Sequence, residues 1–180
     1  HGTTRDQGGF YTHWWMDAGW YPIPASAPQD TWYYGAGNWY PDPARFPRGL
    51  RPVFSQARQH EMASLLWSEP ERAMPGTWLA QHHPEWLIPA PGVAPADQVY
   101  LLNFGDPEAR NWAIDHFDRL ITSQGTPEEG LNVFRQDFNM DPLDYWNSAD
   151  TSGRSGMTQV KHVVGHLDFW DELRRRHPGL

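Results

Sequence analysis

Leu131-Asn132-Val133-Phe134-Arg135-Gln136-Asp137-Phe138-Asn139 opens as an apolar, β-prone run, ends in charge, and then meets Asp141-Pro142. Side chains on a strand alternate faces with period two, so Val133, Arg135, Asp137 and Asn139 point the same way. A cation, a carboxylate and an amide therefore leave one strand end together. A half-buried strand ordinarily keeps apolar residues on its inner face throughout. Crowding of polar groups at the C-terminal end is instead what the catalytic mouth of a β/α-barrel shows. Spacing alone leaves a second reading open, a strand end running into a solvated loop with its charges paired at the surface.

Two more apolar runs end in the same way. Thr12 to Met16 is a short, aromatic-rich strand candidate that meets Asp17, and Met62 to Trp67 runs into Ser68-Glu69-Pro70-Glu71-Arg72. Three strand ends carrying acid, each followed by a loop, fit a site built at one face of a parallel sheet. The competing reading pairs these acids with Arg45, Arg72 or Arg135 as structural ion pairs. Between the strands lie helical patterns: Arg51 to Gln59, a longer one opened by Asp106-Pro107-Glu108, and a last one from about Met157 to Arg176. Asp is a good N-cap, Pro suits the first helical position and Glu the first turn. Gly125 stops the second helix, and Met157, Val160, Val164, Leu167 and Trp170 mark one apolar face on the third. Strand–helix alternation predicts parallel strands with crossover connections. Gln98 to Asn103 is a further strand candidate. Residues 1–11, Pro22 to Gly49, Ala73 to Asp97 and Pro142 to Gly156 read as loops, and loops of such length in one domain tend to be functional.

The bulk numbers narrow the partners. The chain has 180 residues, formal net charge −8 and no Cys, and 39% of it is hydrophobic, enough for one domain with a core and no internal boundary. An acidic chain with no basic run among its aromatics is a poor match to nucleic acid. No apolar run reaches bilayer-spanning length, so no membrane partner is expected. Absence of Cys removes disulfides and thiolate-bound metal without placing the protein in a compartment. His162 and His166 share a helical face but lack the Glu of the zinc-protease pattern, so they read as solvated surface residues, and no metal or other cofactor is expected. Eleven Trp are many for this length. Most should pack the core and two to four should face a substrate, since indole stacks on the apolar faces of sugar rings. Carboxylates among Trp point to glycoside chemistry.

Trp15-Met16-Asp17-Ala18-Gly19-Trp20-Tyr21, with Gly37-Asn38-Trp39, Asp42, Arg45-Phe46-Pro47 and Gly49-Leu50, resembles successive segments of family 36 glycoside hydrolases, the melibiase-like α-galactosidases. Leu66-Trp67-Ser68-Glu69-Pro70-Glu71-Arg72, His83-Pro84-Glu85-Trp86-Leu87, Arg135-Gln136-Asp137-Phe138-Asn139 and Phe169-Trp170-Asp171-Glu172-Leu173 follow in the family's order. The resemblance covers essentially the whole chain. It implies a (β/α)8 TIM barrel, of which this chain holds roughly strands 2–4 with their helices, and a retaining mechanism on terminal α-galactosides. Asp137 would then be the nucleophile. Arg135, where many members carry Lys, and Asn139 would hold the sugar; Asp17 would bind ring hydroxyls. Trp20, Trp39 and Trp67 would line its subsite. Glu69 is the rival nucleophile. Ala18 stands where many members have a second Asp, which makes galactose a default sugar and not a fixed one.

The same resemblance implies that the general acid/base and the first barrel strand lie outside this chain, which reads as an excerpt of a longer protein. By itself the 180-residue piece would be unstable and inactive. The expected partner is an α-galactoside oligosaccharide or glycoconjugate, with oligomeric state left open. Two other readings stand beside this one: a non-catalytic carbohydrate-binding module, which the strand–helix alternation disfavours, and a degenerate barrel that binds sugar without cleaving it.

Overall fold

The computed structural model describes residues 11–28, 31–125 and 129–180; most of the expected opening loop, residues 1–10, lies outside them. In chain order the first half holds β1 (His13–Met16), α1 (Arg51–Gln59), β2 (Ala63–Ser68), β3 (Arg72–Ala73), α2 (Trp78–His82) and β4 (Leu87–Pro89). The second half holds β5 (Tyr100–Leu102), α3 (Pro107–Gln124), β6 (Leu131–Gln136), α4 (Leu143–Ala149) and α5 (Met157–Arg176).

The fold is α/β. β1, β2 and β6 form a parallel sheet in that order, with Trp15 level with Leu65 and Trp67 level with Arg135. All three C-terminal ends therefore meet at one edge. Leu66 and Phe134 are register partners and are buried on the face opposite Trp67, where Phe117 of α3 and Trp170 of α5 pack on Phe134. Phe117 of α3 reaches Phe134 at 5.4 Å between ring centres and Phe169 of α5 at 5.9 Å. Burying each such ring contributes roughly 1.5–3 kcal/mol, which makes this layer the main hold between helices and sheet.

α3 forms as its sequence dictates: the Asp106 carboxylate accepts from the backbone N–H groups of Glu108 (2.8 Å) and Ala109 (3.3 Å), and Gly125 ends it at φ 131°. α5 has the expected span but not the expected face. Val160, Val164 and Leu167 are exposed, and the buried line is His162, Gly165, Phe169 and Leu173. The loop expected over Ala73–Asp97 contains α2 and β4, and β3, β5 and β4 make a small antiparallel sheet. Gln98 ties its connection by accepting from Ala90 N–H and donating to Ala90 and Val93 carbonyls. Within the expected loop 142–156 lies α4, which buries Tyr145 beside Ile88 and Leu101.

Candidate active site

Asp137 follows β6, and its N–H still donates to the Ser68 carbonyl at 2.8 Å, so the ladder to β2 carries it to the sheet edge. Two donors reach one of its oxygens, Oδ2: Trp67 Nε1–H at 2.9 Å and Arg135 Nη1–H at 3.0 Å. Phe138 N–H donates to Oδ1 at 3.0 Å, and the Asn139 side chain adds another hydrogen bond. Donors to a carboxylate favour its charged form. Trp67 contributes most, and together the donors outweigh partial burial and hold Asp137 down at about 2. The side chain is still 28% exposed and that of Arg135 35%, so both can meet a ligand.

The neighbours fix this pair from below and from one side. The Trp67 carbonyl accepts from Trp20 Nε1–H at 2.8 Å, and Trp32 meets the Trp67 ring edge-on. The guanidinium of Arg135 lies 5.1 Å from the ring centre of Trp15, a cation–π contact. Trp15 shares a strand face with Asp17, which stands exposed past the end of β1 with its Oδ1 accepting from Ala18 N–H. Period-two alternation could have singled out Trp15 beside Asp17 from the sequence.

Asp137, Arg135, Asn139 and Trp67 come together as the sequence reading requires, and Asp17 stands at the same edge. Trp20 and Trp39 do not line an open surface. Each is 1% exposed, with Trp20 packed on Tyr21 and Trp39, and Trp39 on Tyr21, Trp67 and Phe117. Their apolar rings complete the core beneath Trp67. Trp67 itself is 2% exposed, so it meets Asp137 through its N–H and does not present an open ring face.

Glu69 is enclosed as well, with no exposure and an ion pair to Arg72 at 2.9 Å. Burial pushes its carboxyl up, against the pull of Arg72. Its Oε1 accepts from Asn139 N–H at 2.6 Å while Arg72 donates to the Asn139 carbonyl at 2.7 Å. The Glu-Pro-Glu-Arg turn thus grips the chain just after Asp137. His162 is not a solvated surface residue: it is 2% exposed and bonded to Glu71 at 2.9 Å, because α5 turns that face inward. Among the described residues no group of three or more His, Asp or Glu is placed to hold a metal ion.

A carboxylate–guanidinium pair at the C-terminal edge of a parallel sheet is one feature; the match over length is the other. Residues 6–180 match the melibiase family model. The chain belongs to the melibiase family. α-Galactosidase 1 of Pediococcus pentosaceus is 26% identical over 92% of this chain and 21% of its own length. An α-galactosidase of Escherichia coli is 33% identical over 83% of this chain and 21% of its own. A Geobacillus stearothermophilus α-galactosidase solved with stachyose superposes with a TM-score of 0.77 at 21% identity, over 98% of this chain and 23% of that one. The melibiase chain thus spans about a fifth of the length of the curated relatives it matches.

Proposed function

We propose that this melibiase segment is the nucleophile-bearing part of a (β/α)8 barrel, roughly strands 2–4 with their helices, in a retaining hydrolase of terminal α-galactosides. The observation that carries the reading is the donor cradle that keeps Asp137 ionised at an exposed sheet edge. Three parallel strand ends at one edge support the barrel, and relatives named α-galactosidases, one of them solved with stachyose, support the substrate class.

In the proposed reaction an Asp137 oxygen attacks the anomeric carbon as the bond to the leaving oxygen breaks, giving a galactosyl ester that water then hydrolyses. Trp67 and Arg135 both donate to Oδ2. Those two donors keep the carboxylate oriented and unprotonated. Asp17 and Asn139 are placed to hold ring hydroxyls, and Arg135, steadied by Trp15, borders the same space. A second carboxyl group must protonate the leaving oxygen, and no residue of this chain is assigned that part. Enclosure of Glu69 argues against it as nucleophile.

In the full-length protein, Asp137→Asn should lower kcat on an aryl α-galactoside by at least on the order of 10³-fold. The fold, read by thermal unfolding, should be retained. Near-normal turnover by that variant would remove Asp137 from the mechanism, and sugar binding without turnover by the unmodified protein would favour the degenerate-barrel reading.

A further inference from the structure

Gln136 faces away from its two charged neighbours, into the protein. Its Nε2–H donates to Glu71 Oε2 at 2.6 Å. Glu71 is 3% exposed, and its Oε1 accepts from His162 Nε2–H at 2.9 Å, with His166 Nδ1 at 3.4 Å. A carboxylate withdrawn from water is costly unless donors surround it. Here burial pushes Glu71 up, but the imidazoles more than offset it and its carboxyl lies below the usual range. His162 Nδ1 is buried with no partner among the described residues, so the ring hydrogen belongs on Nε2, facing Glu71. The three groups join the turn after β2, the end of β6 and helix α5. None of them lies on the open edge that Asp137 and Arg135 share.

We infer that Glu71 is a positioning residue for Asp137, acting through Gln136, with His162 tying that hold to α5. The inference rests on the reading of Asp137 as nucleophile. Glu69 and Arg72 grip the chain at Asn139, two residues past Asp137, whereas Glu71 grips the residue immediately before it, from the side opposite the sugar. A nucleophile displaced by about 1 Å loses on the order of 100-fold in rate, so an anchor of this kind acts on kcat more than on sugar affinity.

The test uses the full-length protein and a charge swap. Gln136→Glu opposes two carboxylates in a buried place, and kcat on an aryl α-galactoside should fall roughly 10- to 100-fold. The Kd for free galactose should change by less than about threefold, because the groups facing the sugar are intact. Combining Gln136→Glu with Glu71→Gln removes the like-charge clash and remakes the bond between the two positions: the amide at 71 donates to the carboxylate at 136, and its oxygen accepts from His162. The double variant should regain kcat to within about fivefold of the parent. Unchanged kcat in Gln136→Glu, no recovery in the double variant, or equal losses in kcat and galactose affinity would each overturn the inference. If Gln136→Glu does not fold, Gln136→Met keeps the length and drops the donor; a kcat loss of about tenfold supports the inference and parental kcat overturns it. Asp137→Asn is assayed alongside. Turnover by that variant defeats the nucleophile reading, whereas its inactivity together with parental kcat in Gln136→Glu defeats the positioning role alone.

Discussion

At Asp137 four donors converge on two oxygens, and the indole N–H of Trp67 is the strongest of them. The carboxyl is depressed to about 2 from an ordinary 3.8. A depressed group adds stability that is present above the unfolded value and is lost as pH falls through the folded one. Protonation of Asp137 therefore belongs near pH 2, and its carboxylate stays charged at neutral pH. Trp67→Phe removes the leading donor while keeping an aromatic ring in the core. Asp137 should then titrate higher, toward the ordinary carboxylate range, which a ¹³C NMR titration of the full-length protein would follow. An unmoved Asp137 titration in that variant would mean that Arg135, Asn139 and Phe138 N–H hold the charge without Trp67.

Among elements, those with strong local signals were legible in the sequence. α1 and α3 follow from apolar spacing and from Asp106-Pro107-Glu108, and the strand ends follow from acid placed after apolar runs. α4 was not, because seven residues after a Pro carry too short a pattern to stand out from a polar loop. Of the small antiparallel sheet only β5 is legible, within the Gln98 to Asn103 candidate; β3 and β4, with two and three residues, are too short to show a pattern. α5 misled on orientation: its valines suggest one face, but packing against Phe104 and Phe117 selects the face of His162, Gly165 and Phe169. Gly165 shows which effect wins there. Helix propensity alone would make Gly165→Ala stabilising by roughly 0.5–1 kcal/mol. A Cβ at that position would run into the backbone carbonyl of Phe104. Overpacking of this kind costs about 1–3 kcal/mol, so the substitution should destabilise, read as a lower denaturation midpoint. A raised midpoint would show that α5 can lift away from Phe104.

Across the whole molecule, the order β1-β2-β6 brings Asp17 and Asp137 to one edge from positions 120 residues apart in the sequence. The division of those residues between surface and interior was not legible. Trp20, Trp39 and Trp67 look alike in sequence to an indole that stacks on sugar, and only their packing shows them as support, Trp20 and Trp39 on Tyr21, Trp39 on Phe117 and Trp67 on Trp39. Glu69 likewise could not be told from Asp137 until Arg72 and Asn139 were seen around it. The separation of an enclosed glutamate from a half-buried aspartate that solvent still reaches is what the proposed chemistry depends on. An activated fluorinated α-galactoside that traps the galactosyl intermediate, followed by peptide mapping of the full-length protein by mass spectrometry, tests it directly. The sugar should be found esterified to Asp137, and a label on Glu69 or on any other residue would contradict Asp137 as the nucleophile.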